Sequence, residues 1–529
     1  MPHFPLPAWL SQRWHLFALP LLVFAAAGIS ACWVFVVPIF QAPDEDVHLD
    51  YALAIQQHKG LFFLPDHSRF ELGFVHPYTH YLRERTATPY VTSNPEVKMP
   101  AGYGSRTFWK ELDDDSPARD SIAIDGPPCL AWVYPFGYYA LLAGWIEILF
   151  SIKNSLVFVF FGSRLFSVFL LMVSLLATFG TLREMRCGRG FSLLVTGIIG
   201  FLPLTSFVSS YVQPDNLSFT LVALIYYLTL VARRHMDRAW LFGLLGLVLG
   251  GLVITKVHYF LCTLIPALAM LAVEGWHAGV RGGRGVKLVL LTLLPSIVAG
   301  WIYLQTVGSS VNAFSDTVVN DNKLALAIEG FFKAVKDFYF GTTHKSFWGR
   351  FGWLDTSLVI GPSWFNQILR VFLLLGTWVI IILTLFRIKQ VLGVVSRMLR
   401  RGSRLQSLRL LVANPVLNSF FLFSAFMIYF HIRTGNRFGA QGRNWFPLLL
   451  PIFLTALRYA PKALSLRRRQ ILCTNVVGGF LIFYCLLGTW YAFPTLQQRY
   501  YEPVQNHPMG ESVFPAGVFC HLLETDTVQ

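Results

Sequence analysis

The chain contains 529 residues, of which 54% are hydrophobic and only 13% are charged. A soluble fold of this length does not need so much apolar sequence, and many runs reach or approach the ~20 residues that span a bilayer. The formal net charge of +15 does not indicate nucleic-acid binding, because the basic residues fall mostly in short segments between apolar runs, as the positive-inside rule describes. The composition therefore predicts an all-α protein that crosses the lipid bilayer many times.

About eleven apolar segments are long enough, or nearly so, to be membrane spans. Their approximate bounds are 16–39, 160–182, 191–211, 216–232, 239–255, 257–274, 287–307, 362–386, 411–431, 443–459 and 471–491. The first segment has no small-residue cleavage site, so we expect a retained helix rather than a removed signal. Since no repeat or linker divides the sequence, we expect a single membrane domain over residues 1–529.

Residues 130–151 form another apolar segment, and its placement decides the topology. If it does not cross the membrane, the main basic loops share one side with the N-terminus. These loops cover residues 183–189, 233–238, 281–287, 387–409 and 462–469. The positive-inside rule then makes that side cytoplasmic. We therefore predict an interfacial or re-entrant segment on the outer side, and a reversed N-terminus is the alternative.

This topology leaves several long segments outside. They are a first outer loop with juxtamembrane helices at 40–151, a second loop at 308–361, a short loop at 432–443 and a C-terminal tail at 492–529. The seven cysteines are single residues, most of them in apolar runs. Cys129 and Cys520 lie in polar outer segments, and location alone makes them candidates for a disulfide.

The first span runs directly into an acidic stretch, which contains Asp44, Glu45 and His48. Pro43 suits the first turn of a helix, where acids complement the positive end of the dipole. On such a helix Asp44 and His48 are four residues apart and share a face. A carboxylate beside an imidazole can accept a proton or bind a metal ion. The alternative is a helix cap with solvated charges at the membrane surface.

Other polar residues are predicted on the same side. Asp215 lies at the start of the fourth span, where it could be a helix cap, and Lys256 lies between the fifth and sixth spans, where its side chain could snorkel to the surface. Further candidates for binding a substrate are Lys345, Arg350, Arg437, Gln441 and Arg443. Outer arginines run against the positive-inside bias, and a guanidinium suits phosphate or carboxylate.

Five motifs together resemble a bacterial family of unknown function, numbered 2142. They are Pro43-Asp44-Glu45 with His48, Gln213-Pro214-Asp215, Thr255-Lys256, the stretch from Ser346 to Trp353, and Gln441-Gly442-Arg443. The resemblance runs from about residue 20 to 460. That family is similar to the GT-C glycosyltransferases, many-spanning enzymes that use polyprenyl-phosphate sugars. Residues 127–139 are also similar to the juxtamembrane segment of aminoarabinose and protein-mannosyl transferases, which agrees with a segment that does not cross.

The resemblance implies roles for individual residues. Asp44 or Glu45 would be the catalytic acid-stretch residue, with Asp215 as a second acid, and Lys256 and Arg443 would contact the phosphate of the lipid donor. A third acid, Asp46, leaves the choice of base open. Asp44, Glu45 and Asp215 also offer oxygen ligands that would suit Mg or Mn.

We therefore expect a multi-pass glycosyltransferase of the bacterial inner membrane. It would move a sugar from a polyprenyl-phosphate donor to an envelope glycan or lipid acceptor on the periplasmic side, with inversion if Asp44 acts as base. His48 would support the carboxylate. The alternatives are a transporter or flippase of lipid-linked sugars, an envelope glycan polymerase of another fold, and a structural scaffold.

Overall fold

The computed structural model describes most of the chain up to residue 315 and parts of the remainder. The described ranges are 8–58, 76–93, 96–100, 102–117, 134–280, 282–315, 347–348, 350–351, 356–357, 414–434, 442–454 and 470–501, with single residues 364, 367, 371, 393, 412 and 457. The predicted span 362–386 lies almost wholly outside these ranges, as do Cys129 and Cys520.

Helices make up nearly all of the described chain. They are α1 Ala8–Val36, α2 Glu45–His58, α3 Pro77–Arg85, α4 Thr88–Ser93, α5 Arg106–Asp114, α6 Gly137–Ile152, α7 Leu156–Glu184, α8 Arg189–Phe201, α9 Pro203–Val208, α10 Pro214–Arg234, α11 Ala239–Val253, α12 Val257–His277, α13 Gly282–Ser315, α14 Pro415–Thr434, a 3₁₀ helix Gly442–Leu448, α15 Leu449–Leu454 and α16 Gln470–Tyr500. Two short antiparallel strands, β1 Arg350–Phe351 and β2 Thr356–Ser357, pair with Arg350 opposite Ser357.

The protein is an all-α polytopic membrane protein, as its composition predicts. Within the described residues, six helices are long and apolar enough to cross a bilayer, and four shorter apolar helices accompany them. The six are Phe17–Val36, Leu156–Glu184, Pro214–Arg234, Val257–His277, Gly282–Gln305 and Val476–Tyr500, and the four are Gly137–Ile152, Arg189–Phe201, Ala239–Val253 and Pro415–Met427.

Two predicted spans differ from continuous helices. Segment 191–211 is divided into α8 and α9 at Leu202, which has an extended ψ of 128°. The following Pro203 disfavours the helical conformation at this residue. Segment 443–459 begins as the 3₁₀ helix and continues into α15. This irregular backbone places Arg443 at the same end of the helix bundle as Asp44.

The helix ends separate into two groups at opposite ends of the bundle. At one end, Lys256 before α12 pairs with Asp215 of α10, and Tyr259 donates a hydrogen bond to the carbonyl oxygen of Asn444 at 2.7 Å. We call this the site end. At the other end, Arg234 of α10 pairs with Glu184 of α7 at 2.8 Å. The described loops 183–189, 233–238 and 282–287 lie there, and we call it the basic end.

Helix α6 lies at the site end. Its first residue, Gly137, donates its N–H to the carbonyl oxygen of Ile254 at 2.7 Å, beside the end of α11. Farther along, the indole of Trp145 donates to the carbonyl oxygen of Gly162 at 2.9 Å, in the first half of α7. Helix α6 therefore runs antiparallel to that half only, and then turns back into α7. The described part of the predicted interfacial segment thus turns back at the site end, and its place outside the membrane stays a prediction.

Short helices α2 to α5 cover the site end, and the assignment of this segment to an outer loop stays a prediction. Asp113 of α5 accepts a hydrogen bond from the N–H of Val157 at 2.9 Å, which satisfies a free donor in the first turn of α7. At the far side of the loop, Lys98 donates to the carbonyl oxygen of Gln498 at 2.7 Å, in the last turn of α16. These contacts attach the outer helices to the ends of two spans.

An aromatic core lies below this cover. Trp33 of α1 is fully buried, and its ring centroid lies 5.6 Å from Phe207, 4.9 Å from Phe351 and 5.0 Å from Phe493. These rings come from α9, β1 and α16. The core therefore joins the beginning and the end of the described chain directly beneath the acidic stretch.

Candidate functional site

Asp44 lies in the connection between α1 and α2, one residue before α2 begins. Its φ of 61° is in the left-handed region, which is uncommon for a residue with a side chain. The N–H of His48 donates to the carbonyl oxygen of Asp44 at 3.0 Å and closes the first turn of α2. The prediction that Pro43 occupies the first turn is wrong, because α2 starts only at Glu45. The backbone therefore places Asp44 directly before the N-terminus of α2.

The carboxylate of Asp44 pairs with Arg443 of the 3₁₀ helix. The Nη2 to Oδ2 distance is 2.5 Å, and the Asp44 side chain remains 36% exposed. Burial alone would raise the pKa of Asp44, but the Arg443 guanidinium holds this pKa below its ordinary value, with a smaller contribution from the charge of Lys256. Asp44 is therefore an ionised, partly accessible carboxylate at neutral pH.

A second ion pair lies nearby, between Asp215 and Lys256. Both side chains are almost buried, at 4% and 12% exposure. Gln213 is the N-cap of α10, so Asp215 is not a cap but the second residue of the helix, where it faces Lys256. Lys256 also acts electrostatically on the Asp44 carboxylate. The site thus contains two ion pairs, Asp44 with Arg443 and Asp215 with Lys256.

His48 lies beneath this group and is neutral. Its Nδ1 shares a hydrogen bond of 2.8 Å with the hydroxyl of Tyr139 on α6, and the ring centroids of His48 and Tyr134 lie 5.5 Å apart in a T-shaped arrangement. Burial lowers the pKa of His48 to about 3, and the charge of Asp44 only partly opposes this effect. The imidazole can therefore orient its neighbours by hydrogen bonding but carries no charge at neutral pH.

Glu45 points away from the site, in contrast to the prediction of a catalytic or metal-binding role. Its carboxylate is fully buried against Arg164 of α7, which donates from Nε to Oε1 at 2.7 Å and from Nη2 to Oε2 at 2.6 Å. The N–H of Val212 also donates to Oε1 at 3.3 Å. Because a bidentate guanidinium occupies both oxygens, Glu45 is held as part of the scaffold.

The predicted magnesium or manganese site does not fit the donors that are present. Asp44 and Asp215 each pair with a cation, and Glu45 pairs with Arg164. Within the described residues, no three His, Cys, Asp or Glu side chains are grouped so that they could hold a metal ion. The three acids of the predicted metal set therefore serve as partners of three cations.

The structure describes only part of the remaining predicted residues. Lys345, Arg437 and Gln441 lie outside the described residues, and Arg350 is described only as the first residue of β1. The sequence reasoning missed Arg164, although an arginine within an apolar run is itself a sign of a functional or paired charge.

Comparisons with known proteins add little to this geometry. No family model and no curated protein matches the chain, so membership of family 2142 stays a prediction. Several solved structures are similar to the chain, two of them oligosaccharyltransferases. One is an oligosaccharyltransferase of Archaeoglobus fulgidus tethered to an acceptor peptide, with 12% identity and a TM-score of 0.35, and the alignment covers 94% of this chain and 57% of that one.

The other is the oligosaccharyltransferase AglB of the same organism with an inhibitory peptide and a dolichol phosphate. It shows 13% identity and a TM-score of 0.33 over 95% of this chain and 59% of that one. The chain thus spans less than two thirds of the length of either protein. Similarity at this level assigns neither a substrate nor a catalytic residue.

Proposed function

We propose that this chain is a membrane glycosyltransferase that moves a sugar from a polyprenyl-phosphate donor to a hydroxyl group of an envelope glycan or lipid. The reaction would take place on the periplasmic side of a bacterial inner membrane. One observation carries the proposal. The ionised, partly exposed Asp44 carboxylate pairs with Arg443 and lies within electrostatic reach of Lys256, at the end of the bundle opposite the basic loops.

The two cations suit the phosphate of the donor. A sugar linked to polyprenyl phosphate carries one negative charge on its phosphodiester, and the departing polyprenyl phosphate carries up to two. Arg443 and Lys256 therefore bind the transition state more tightly than the ground state, which is the requirement for a faster reaction. Each cation already holds an acid oxygen, and a phosphate oxygen can take the same position.

Asp44 is the base in this proposal. The acceptor oxygen bonds to the anomeric carbon, the bond from that carbon to the phosphate oxygen breaks, and its electron pair leaves with polyprenyl phosphate. The acceptor proton passes to Asp44. A single displacement of this kind inverts the anomeric configuration.

The Asp44–Arg443 pair implies that donor binding comes before activation of the base. In the free protein Arg443 lowers the pKa of Asp44, which makes the carboxylate a weak base. A donor phosphate that binds Arg443 takes away this partner and adds a negative charge nearby. Both changes raise the pKa of Asp44. The donor thus activates the base when it binds.

The distribution of charge does not favour the transporter alternative. A transport path would be expected to have charged groups near the middle of the membrane. In the part of the chain that the structure describes, the ion pairs lie at the site end or in the outer helices, such as Arg83–Asp46, or at the basic end, such as Arg233–Glu274. These described ion pairs therefore lie toward the two ends of the bundle, and the pairs of Asp44 and Asp215 lie at the site end.

The test is transfer by the purified protein. Radiolabelled polyprenyl-phosphate sugars are offered with a panel of envelope acceptors, with Asp44→Asn as the inactive control. The anomeric configuration of the product is then read by NMR. Absence of transfer from every lipid donor would contradict the proposed activity, and a product with retained configuration would contradict Asp44 as base in a single displacement.

A further inference from the structure

Arg164 of α7 is fully buried and makes five hydrogen bonds. Besides the two bonds to Glu45, its Nη1 donates to the carbonyl oxygens of Val34 at 2.6 Å and Val37 at 2.5 Å, and its Nη2 donates to that of Pro38 at 2.9 Å. A guanidinium has five N–H groups, so every donor of this side chain is used.

These bonds fix both sides of the connection that carries Asp44. Val34 lies in the last turn of α1, where the helix leaves carbonyl acceptors without partners, and Val37 and Pro38 follow the helix directly. Glu45 is the first residue of α2. One side chain therefore clamps the chain before and after Asp44, whose left-handed backbone needs such support.

Arg164 is also packed against an aromatic ring. Its guanidinium carbon lies 4.6 Å from the ring centroid of Phe160, one turn earlier on α7. A lysine has three donors on a single nitrogen and cannot reproduce a planar set that reaches Glu45 and three carbonyl groups at once. The geometry is specific to arginine.

We propose that Arg164 is the positioning residue of the site, which holds Asp44 opposite Arg443 without touching the substrate. This inference rests on the proposed function, because Asp44 is the base there. A carboxylate that loses this support moves relative to the acceptor hydroxyl, and a displacement of about 1 Å can lower the rate about 10²-fold.

The test compares Arg164→Lys with Arg83→Lys. Arg83 pairs with Asp46 of α2 at 3.4 Å, one residue beyond Glu45, but belongs to α3. The second variant is therefore a matched loss of an arginine partner of α2. We expect Arg164→Lys to lower kcat about ten- to hundredfold, with the KM for the lipid donor nearly unchanged, and Arg83→Lys to resemble the wild type.

A pH profile separates positioning from a loss of folded protein. When Asp44 moves away from Arg443 its pKa rises, so the acid limb of kcat/KM should move to higher pH in Arg164→Lys. A merely structural role lowers the active fraction and leaves the limb in place. An unchanged limb, or a wild-type kcat, would overturn the inference.

Hydrogen exchange of the peptide covering residues 38–48 tests the same point without a substrate. We expect faster exchange in Arg164→Lys and no change in Arg83→Lys, and equal exchange in all three proteins would overturn the inference. If the wild type transfers no sugar, the proposed function fails, and exchange alone then decides whether Arg164 positions Asp44. If Arg164→Lys does not fold, a double variant that carries both Glu45→Gln and Arg164→Gln replaces it. This variant has a neutral pair in place of the charged one, and it is tested by the same pH profile and the same hydrogen-exchange measurement.

Discussion

Replacing Asp44 by Asn separates a catalytic base from a solvated helix cap. The amide keeps the size and the hydrogen-bonding reach of the carboxylate but cannot take a proton. Loss of a general base typically lowers the rate about 10²–10⁴-fold, which corresponds to about 3–5 kcal/mol of barrier at 1.36 kcal/mol per tenfold.

The stability of the variant should change much less. The Asp44 side chain is 36% exposed, and partly exposed ion pairs contribute only about 0.2–1 kcal/mol. A loss of this size leaves nearly all molecules folded in a protein of ordinary stability. A rate loss of 10²-fold or more therefore cannot come from unfolding.

Asp46→Asn is the matched control for this experiment. Asp46 is also in the acidic stretch and receives the same substitution, but it pairs with Arg83 of α3 at 3.4 Å rather than with Arg443. We expect near-normal transfer in this variant, and donor binding without transfer in Asp44→Asn. If Asp44→Asn retains activity close to that of the wild type, Asp44 is a cap and the proposed mechanism is wrong.

Three further predictions follow from the two ends of the bundle. Lys256→Ala and Arg443→Ala should each weaken binding of polyprenyl phosphate about ten- to hundredfold, because a charge-assisted hydrogen bond contributes about 1.5–3 kcal/mol. Glu45→Gln should lower the free energy of unfolding by about 3–5 kcal/mol, because it leaves a buried guanidinium without its counter-ion. In intact cells, an impermeant thiol reagent should label a cysteine placed at Lys110 of α5 but not one placed at Arg234.

Each of these three predictions has an outcome that would contradict it. Arg83→Ala, which removes a cation away from the site, is the control for the two alanine variants, and equal lipid binding in all three would place the phosphate elsewhere. A wild-type unfolding curve for Glu45→Gln would show that its buried pair contributes nothing. Labelling at Arg234 from outside would reverse the topology and remove the periplasmic site.

The sequence predicted the spans well because length and apolar composition are local properties. Breaks in helices were harder to see, although Pro203 gave a local signal for the division between α8 and α9. The placement of α6 required a different kind of argument. Its 16 residues are as apolar as a short span, and only the distribution of basic loops indicated that it turns back at the site end.

The sequence identified candidate site residues from their chemistry and position, but it did not predict which residues pair with each other. Asp44, Lys256 and Arg443 carry ordinary signals, namely an acid after a span and cations at an outer boundary. Their pairing depends on contacts between residues 399 and 41 positions apart, and no local pattern specifies such contacts. Glu45 and Asp44 are neighbours with the same chemistry, yet a left-handed φ at Asp44 turns their side chains toward different partners.

The change of partner at Asp44 predicts a difference between two pH profiles. In the free protein the pKa of Asp44 is lowered, so the ionised form persists as the pH falls below the ordinary value of about 3.9. The acid limb of kcat/KM, which reports the free enzyme, should therefore lie below about pH 4. Once the donor phosphate binds Arg443, the pKa of Asp44 rises, and the acid limb of kcat, which reports the bound complex, should lie at higher pH. Arg443→Ala should bring the two limbs closer together, because its Asp44 has no guanidinium to lose and only the charge of the phosphate still raises the pKa of Asp44. Coincident limbs in the wild type would mean that Asp44 keeps Arg443 during the reaction and that the donor phosphate is neutralised by another group.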